Sequence, residues 1–273
     1  MADKKKKGAH KKADRQWDKK SASRPKKQRT GAPSLGQEEI LLYGLHALKA
    51  ALLNERRKIL KIFMTRNAAE RLSLPLKARN LTAEIVEPDV ISALTGKDAV
   101  HQGMAAIVRP LDPKDIYDVE DAKLVFVLDQ ITDPHNVGAI MRSATALNVD
   151  AIITTHRNAP KETGLLAKTA SGALEHIDLV YVTNLAQSLK KLNEFGFVTI
   201  GLDSQGPKEL VETLYGDKIA LILGAEGAGL RRLTRERCDA LARLDMPGPI
   251  KSLNVSNAAT LSAFLARNYL DSN

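Results

Sequence analysis

The chain has 273 residues, enough for one large domain or two smaller ones. Its one cysteine, Cys238, excludes an intrachain disulfide and a Cys-based metal cluster, and no apolar run reaches membrane-spanning length. The net charge of +9 is concentrated: residues 1–36 hold thirteen Lys and Arg against three Asp, and the remaining 237 residues carry 28 bases and 29 acids. Such a tail cannot bury enough apolar surface to order itself. No apolar segment follows it as in a secretory signal, and it is Lys-rich with acids, unlike a transit peptide, so a cytoplasmic protein is expected. We read residues 1–36 as an arm that attracts the phosphates of a polyanion, with a solubilising arm as the plain alternative.

In chain order, Glu38 to Asn54 has Leu41, Leu42, Leu45, Leu48 and Leu52 at helical spacing and predicts an amphipathic helix. A strand follows over Lys58–Thr65, then a helix over 67–77, a short strand near Glu84–Val86, a short helix near 88–95 and a strand over Met104–Val108. This makes a small α/β unit over 37–108, and the proline-rich, acidic stretch that follows it is a linker over 109–121. From 122 the rhythm changes. Apolar strand-like runs at Lys123–Asp129, Asp150–Thr155, Ile177–Val182, Phe197–Leu202, Lys218–Leu223 and Ala240–Met246 alternate with helical segments. That pattern implies an α/β fold with a parallel sheet covered on both faces over 122–273. Ligands in such sheets sit beyond the carboxyl ends of strands, which directs attention to the loops after Asp129, Leu223 and Asp245.

Each of these loops has chemistry in it and a plain alternative. In "LDQITDPHNVGAIMRSA", 128–144, Asn136 can cap a helix whose N-terminus suits a phosphate, and Arg142 lies in its second turn. Gly138, Ala139 and Ser143 keep the surroundings of Arg142 open; the plain alternative is a capped helix with a solvated arginine. In "LILGAEGAGLRRL", 221–233, the glycines run G-x-x-G-x-G rather than G-x-G-x-x-G, and Glu226 would repel a phosphate. The loop suits an adenosine cofactor without phosphates, or is a flexible turn. In "MPGPIKSLNVSNAATLSAF", 246–264, a helix needs one capping Ser or Asn, and four stand within six residues. A residue near Ser256 or Asn257 can cap, which leaves Ser252 and Asn254 for other work. His135 is read as touching substrate or as a plain loop residue, His101 as helping the small unit touch RNA or as ending a turn, and His156 as a surface residue; no His/Asp/Glu grouping has metal-site spacing, so no metal is expected.

Taken together, these loops resemble the three motifs of the SpoU (TrmH-like) family of RNA ribose 2′-O-methyltransferases in the SPOUT superfamily. Asn136 to Ile140 with Arg142-Ser143-Ala144 is similar to the first motif, Leu223 to Gly227 with Gly229-Leu230 to the second, and Met246, Gly248 and Ser252 to Ser256 to the third. Outside them, "GLHALKAAL" at 44–52, "HQGMAA" at 101–106, "KTASGALEH" at 168–176 and "LRRLTRERCD" at 230–239 are similar to the branch that modifies a guanosine of large-subunit (23S) ribosomal RNA. The resemblance covers about 38–273. It implies a SPOUT-type parallel sheet with a deep C-terminal trefoil knot, a small ribosomal-protein-like N-terminal domain that binds the RNA substrate, S-adenosylmethionine as methyl donor, and a homodimer whose sites form near the interface. Cofactor contacts carry over to Gly224, Leu244 and Leu253, and catalytic positions to Asn136, Arg142, Glu226, Ser252 and Asn254. One departure is visible: Leu244-Asp245-Met246 stands where the family often has Ile-Pro-Met, which puts a charge near the cofactor loop.

These residues suggest a division of roles. An arginine is a poor general base in water, so Arg142 is expected to position the 2′-hydroxyl and adjacent phosphate and to stabilise developing alkoxide charge; a base role stays open. Asn136 would hold phosphate or ribose, Ser252 and Asn254 would orient the nucleotide and Arg142, and Glu226 would fix its loop or pair with a cation. The rival readings are the same chemistry on tRNA and a non-catalytic RNA-binding assembly factor. A nicotinamide-type enzyme is weaker, because its glycine pattern and acidic residue are missing.

Overall fold

The computed structural model describes residues 39–273 apart from 158 and 161. The tail expected over 1–36 lies outside the described residues.

The first half builds β1 (Ile40–Tyr43), α1 (Leu45–Leu53), β2 (Ile59–Met64), α2 (Arg66–Arg71), α3 (Ser73–Ala78), β3 (Glu84–Ile85), α4 (Pro88–Thr95) and β4 (Met104–Val108). The strands form one sheet in the order β1-β4-β2-β3, antiparallel except for the β2–β3 pair. The single helix expected from Glu38 to Asn54 is corrected: strand β1 occupies its first part, and α1 starts only after Gly44. Gly44 takes φ +88, a setting outside any right-handed helix. Leu42 is buried in the main core while Leu41 and Tyr43 pack on the opposite face with Phe63 and Ile91, a period of two. The expected strand at 58–65 and helix at 88–95 are present, and the helix expected over 67–77 is broken at Leu72 into α2 and α3.

After a 3-10 turn at Ile116–Val119 come β5 (Leu124–Asp129), α5 (Pro134–Ala146), β6 (Ala151–Thr155), α6 (Gly164–Ala170), β7 (Asp178–Val182), α7 (Leu185–Glu194), β8 (Val198–Leu202), β9 (Lys208–Glu209), α8 (Leu210–Thr213), β10 (Ile219–Gly224), α9 (Arg232–Arg237), β11 (Ala240–Arg243) and α10 (Val255–Ser272). The strands form a parallel sheet in the order β7-β6-β5-β10-β8-β11-β9. Burial explains the continuous apolar runs. Leu124, Phe126 and Leu128 of β5 face one core while Val125 and Val127 face another, and β10 divides its side chains in the same way. The first core is closed by α5, α6 and α10, and it continues through α1 into the first sheet; the second is closed by α7.

The strand order places the site. From β5 the chain winds outward through β6 and β7, then crosses to lay β8 on the other side. β10 later inserts between β5 and β8, and β11 between β8 and β9. The β5–β10 pair is therefore the point where winding reverses, and the crevice at such a point opens at the carboxyl ends, here Asp129 and Gly224.

Candidate active site

Beyond Gly224, the chain folds back on itself. Gly229 N–H donates to the Ala225 carbonyl at 2.8 Å, and Gly227 and Gly229 hold φ of +79 and +65. A Cβ at Gly224 would stand 2.2 Å from the Gly229 carbonyl carbon, so only glycine lets the strand end meet its own loop. Beside this loop runs a cleft of about 520 Å³, closed by Leu244, Met246 and the stretch Lys251–Asn254. Gly224, Leu244 and Leu253 all line it, as do Glu226, Ser252 and Asn254. Leu202 and Asp203, at the carboxyl end of β8, line it too and were not singled out from sequence. The signal was available: β8 is an apolar strand of the same sheet, so its end opens on the same edge.

Asn254 corrects one sequence expectation. It is itself the N-cap of α10: its Oδ1 accepts from Ser256 N–H at 2.9 Å and from the Ser256 hydroxyl at 2.6 Å. Its Nδ2 donates to Asn136 Oδ1 at 3.1 Å. The cap was expected near Ser256 or Asn257, which instead lie in the first turn. Asn136 is likewise not a cap. Asp133 caps α5, accepting from His135 N–H at 3.0 Å, and Pro134 begins the helix. The first and third motif loops thus meet through two amides, and the helices behind them are joined by the Thr260–Ser143 hydroxyl bond at 2.7 Å. Gly138 serves packing: a Cβ there would fall 2.6 Å from Thr169 of α6.

Arg142 is not brought to this cleft. It lies six residues beyond Asn136, about 9 Å along the axis and about 120° around it by helix geometry. It lines a different groove of about 340 Å³, with His46 and Lys49 of α1 and His176 opposite. No side-chain partner engages Arg142, Glu226 or Ser252 among the described residues. His101 fixes a turn, with Nε2 3.0 Å from Ser92 Oγ and Nδ1 accepting from Gly103 N–H. His156 is exposed and stacks on Tyr181, and no metal-binding group of His, Cys, Asp or Glu occurs among the described residues.

The cleft fits S-adenosylmethionine on its own features. Its volume is in the range of small-molecule pockets, about 300–1,000 Å³. Leucine, methionine and bare glycine backbone supply apolar walls and unhindered N–H and C=O groups. Two carboxylates line it: Asp203 is paired with Arg235, whereas Glu226 has no side-chain partner among the described residues, and the one lining cation, Lys251, is turned to the Met246 carbonyl at 2.7 Å. The uncompensated Glu226 suits a cationic ligand and disfavours a phosphorylated one.

A parallel α/β sheet with a glycine-walled cleft at its reversal point is the plan of a nucleoside-cofactor enzyme. Residues 123–264 match the SpoU rRNA Methylase family model, and residues 41–114 match the model for RNA 2′-O ribose methyltransferase substrate binding. The chain belongs to the SpoU rRNA methylase family. It is 34% identical over 236 residues to the 23S rRNA (guanosine-2′-O-)-methyltransferase RlmB of Photorhabdus laumondii, covering 83% of this chain and 96% of that one. The corresponding figures for RlmB of Escherichia coli are 33%, 83% and 97%. Among solved structures, the SpoU methyltransferase AviRb from Streptomyces viridochromogenes in complex with AdoMet superposes with a TM-score of 0.73 at 23% identity, over 86% of this chain and 92% of that one. The family's cofactor is S-adenosylmethionine, as the sequence motifs imply.

Proposed function

We propose that the chain transfers a methyl group to the ribose 2′-hydroxyl of a guanosine in 23S ribosomal RNA. The observation that carries this reading is the side-chain hydrogen bond from Asn254 to Asn136 at the rim of the Gly224 cleft, which joins the family's motif residues into one surface. Relatives named for that reaction match both sheets, and the first sheet carries the substrate-binding match.

S-adenosylmethionine supplies an electrophilic methyl group on a cationic sulfur. Gly224, Leu244 and Leu253 hold its nucleoside through backbone groups and apolar contact. Glu226, which has no cation of its own among the described residues, favours its positive charge. Asn136 and Asn254 hold the ribose or its phosphate, and Ser252 orients the nucleotide. Arg142 positions the 2′-hydroxyl and stabilises the oxygen as its charge develops. Because Arg142 faces another groove within one chain, the complete site is assigned to a homodimer, in which the arginine of one protomer serves the cleft of its partner. Exposed Ile250, Leu253, Leu261 and Phe264 around the start of α10 offer the apolar surface for that contact.

In this reading the returns of β10 and β11 between earlier strands belong to a C-terminal trefoil knot. The first sheet is a small ribosomal-protein-like domain that presents RNA, the segment 1–36 binds RNA phosphates, and the enzyme works in the cytoplasm. No helix among the described residues is long and apolar enough to cross a membrane. The test is mass mapping of ribose methylation in RNA from a deletion strain, with the wild-type chain restored on a plasmid. One 2′-O-methylguanosine should vanish from 23S rRNA and return with the plasmid. Unchanged rRNA with one tRNA methyl missing would assign the chemistry to tRNA, and no change in either would leave a non-catalytic assembly factor.

A further inference from the structure

A second cavity, of about 460 Å³, lies beyond the carboxyl ends of β6 and β7, on the side of the sheet covered by α7 and α9. The reaction above does not use it. Thr155, Thr183, Asn184, Ala186, Arg231 and Arg232 line it, and no carboxylate does. The acids nearest its cations are engaged behind them: Asp129 accepts from Nε of Arg231 at 2.6 Å, and Glu236 from Nη1 of Arg232 at 2.7 Å. The terminal guanidinium nitrogens of Arg231 have no partner among the described residues.

Two further features point to a ligand. Asn184 caps the ten-residue helix α7, its side chain accepting from Gln187 N–H, so the Leu185 and Ala186 N–H groups are left without helical acceptors at the cavity's edge. Independently, Thr155 ends β6 at the cavity wall with 7% of its surface exposed, and its hydroxyl has no hydrogen-bond partner among the described residues. A buried unpaired hydroxyl is costly; Oγ1 is closed off from solvent, so it meets a ligand in the adjoining cavity only by turning about χ1, and the bond gained would offset that cost.

We propose that this cavity binds a phosphate group, supplied by the backbone of the bound RNA. Arg231, Arg232, the free N–H groups of α7 and the Thr155 hydroxyl are all donors, and together they match an anion. The placement fits as well. Asp129 pairs in register with Gly224, so the Asp129–Arg231 pair separates this cavity from the cofactor cleft, and a strand of RNA along the carboxyl edge of the sheet passes both. The choice of RNA as the source rests on the functional reading above; the anion chemistry does not.

The test uses the full chain with Thr155→Val and Arg232→Ala, singly and together. Thr155→Val removes a buried unpaired hydroxyl at constant shape and should raise the Tm, and Arg232 is a surface residue, so Arg232→Ala should keep the wild-type Tm. With a 23S rRNA fragment, each should raise KM and the RNA Kd measured without cofactor by about ten- to a hundredfold, the loss of one hydrogen bond to a charged group. Arg232→Ala should also make the slope of log Kd against log salt shallower by about one. Turnover and cofactor Kd should not change. Inorganic phosphate should raise the Tm of the wild type and not of the double variant. Wild-type RNA affinity and salt slope in the double variant would overturn the RNA assignment, whatever free phosphate does; equal stabilisation of both proteins by phosphate would overturn the site. If the wild type fails to methylate the fragment while RNA binding still depends on Thr155 and Arg232, the functional reading falls and the phosphate site stands.

Discussion

Asn136 and Arg142 leave the same helix toward different grooves, and this decides what each can be tested for. Asn136 is tied to Asn254 beside the Gly224 cleft, whereas Arg142 lines a second groove with no side-chain partner among the described residues. Arg142→Ala should lower kcat by about 10²–10³, the usual loss for one preorganised donor to a developing oxyanion, with cofactor Kd unchanged. Arg142→Lys keeps a charge but loses the planar fork and should recover little. Single-turnover methylation with cofactor binding measured alongside checks both, and near wild-type turnover in the alanine variant would remove Arg142 from the chemistry. Cys238 is a contrasting residue. Burial, helped by Asp239 and Asp129, pushes its thiol up to about 12, and Sγ is turned to the Thr234 carbonyl. At pH 8 it is a thiol in the folded state, and a thiol is not a nucleophile. A chromogenic disulfide should label it far more slowly in native protein than in urea; labelling at the urea rate would show the site open. At this scale the sequence made residue types and motif spacing legible. It could not show that Arg142 and Glu226 sit in separate grooves, because that depends on which side of α5 faces α10.

Helix α10 shows how one side chain serves two elements. Sequence spacing offered four possible caps, and any of them satisfies the local rule; tertiary contact with Asn136 selects Asn254. Asn254→Ala should cost about 1 kcal/mol for the cap alone, and activity should fall because Asn136 loses its anchor. Asn254→Ser separates the two effects. Its hydroxyl still caps the first turn of α10, but it is too short to reach Asn136 Oδ1 and the contact is lost. For this serine variant, urea midpoints near wild type with methylation strongly reduced are expected, and full activity would show that the Asn136 contact is dispensable. Element boundaries were legible where one period dominated, as in the two-faced strands β5 and β10. They were not legible at 38–54, where Leu41, Leu42 and Leu45 fit a helix and a strand equally and the φ of Gly44 decides. The two-residue strand β9 has no sequence signature of its own; its place beside β11 makes it a strand.

For the whole molecule, the alternation of strands and helices revealed a parallel sheet, but not the order in which β10 and β11 insert, since insertion leaves no local mark on composition. The charge of the segment 1–36 was equally plain from sequence. Deleting it should weaken rRNA binding at low salt and flatten the salt dependence, because fewer counterions are released; unchanged binding at about 50 mM salt would reduce it to a solubilising arm. What sequence could not reveal is how the two sheets are held together. Arg57, 0% exposed, follows α1 of the first sheet and reaches two carboxylates of the second. Its Nε donates to Glu175 Oε1 at 2.9 Å and its Nη1 to Glu162 Oε1 at 2.6 Å, and Nη1 also reaches the Arg109 carbonyl. Arg57→Ala leaves both acids without their cation in a dry site and should cost about 3–5 kcal/mol; a loss under about 1 kcal/mol in urea titration would mean that water enters freely. Burial raises the Glu162 carboxyl above its ordinary value, and Arg57 opposes this only in part. The folded state therefore holds a proton that the unfolded chain releases. The stability this contributes is complete below the ordinary glutamate value of 4.5 and is lost as pH rises through the raised folded value. Glu162→Gln cannot titrate but can still accept from Arg57. Plotted against pH, the stability of the wild type relative to this variant should fall above 4.5 and then level off. A flat difference across that window would show that Glu162 is charged throughout and held by Arg57 without strain.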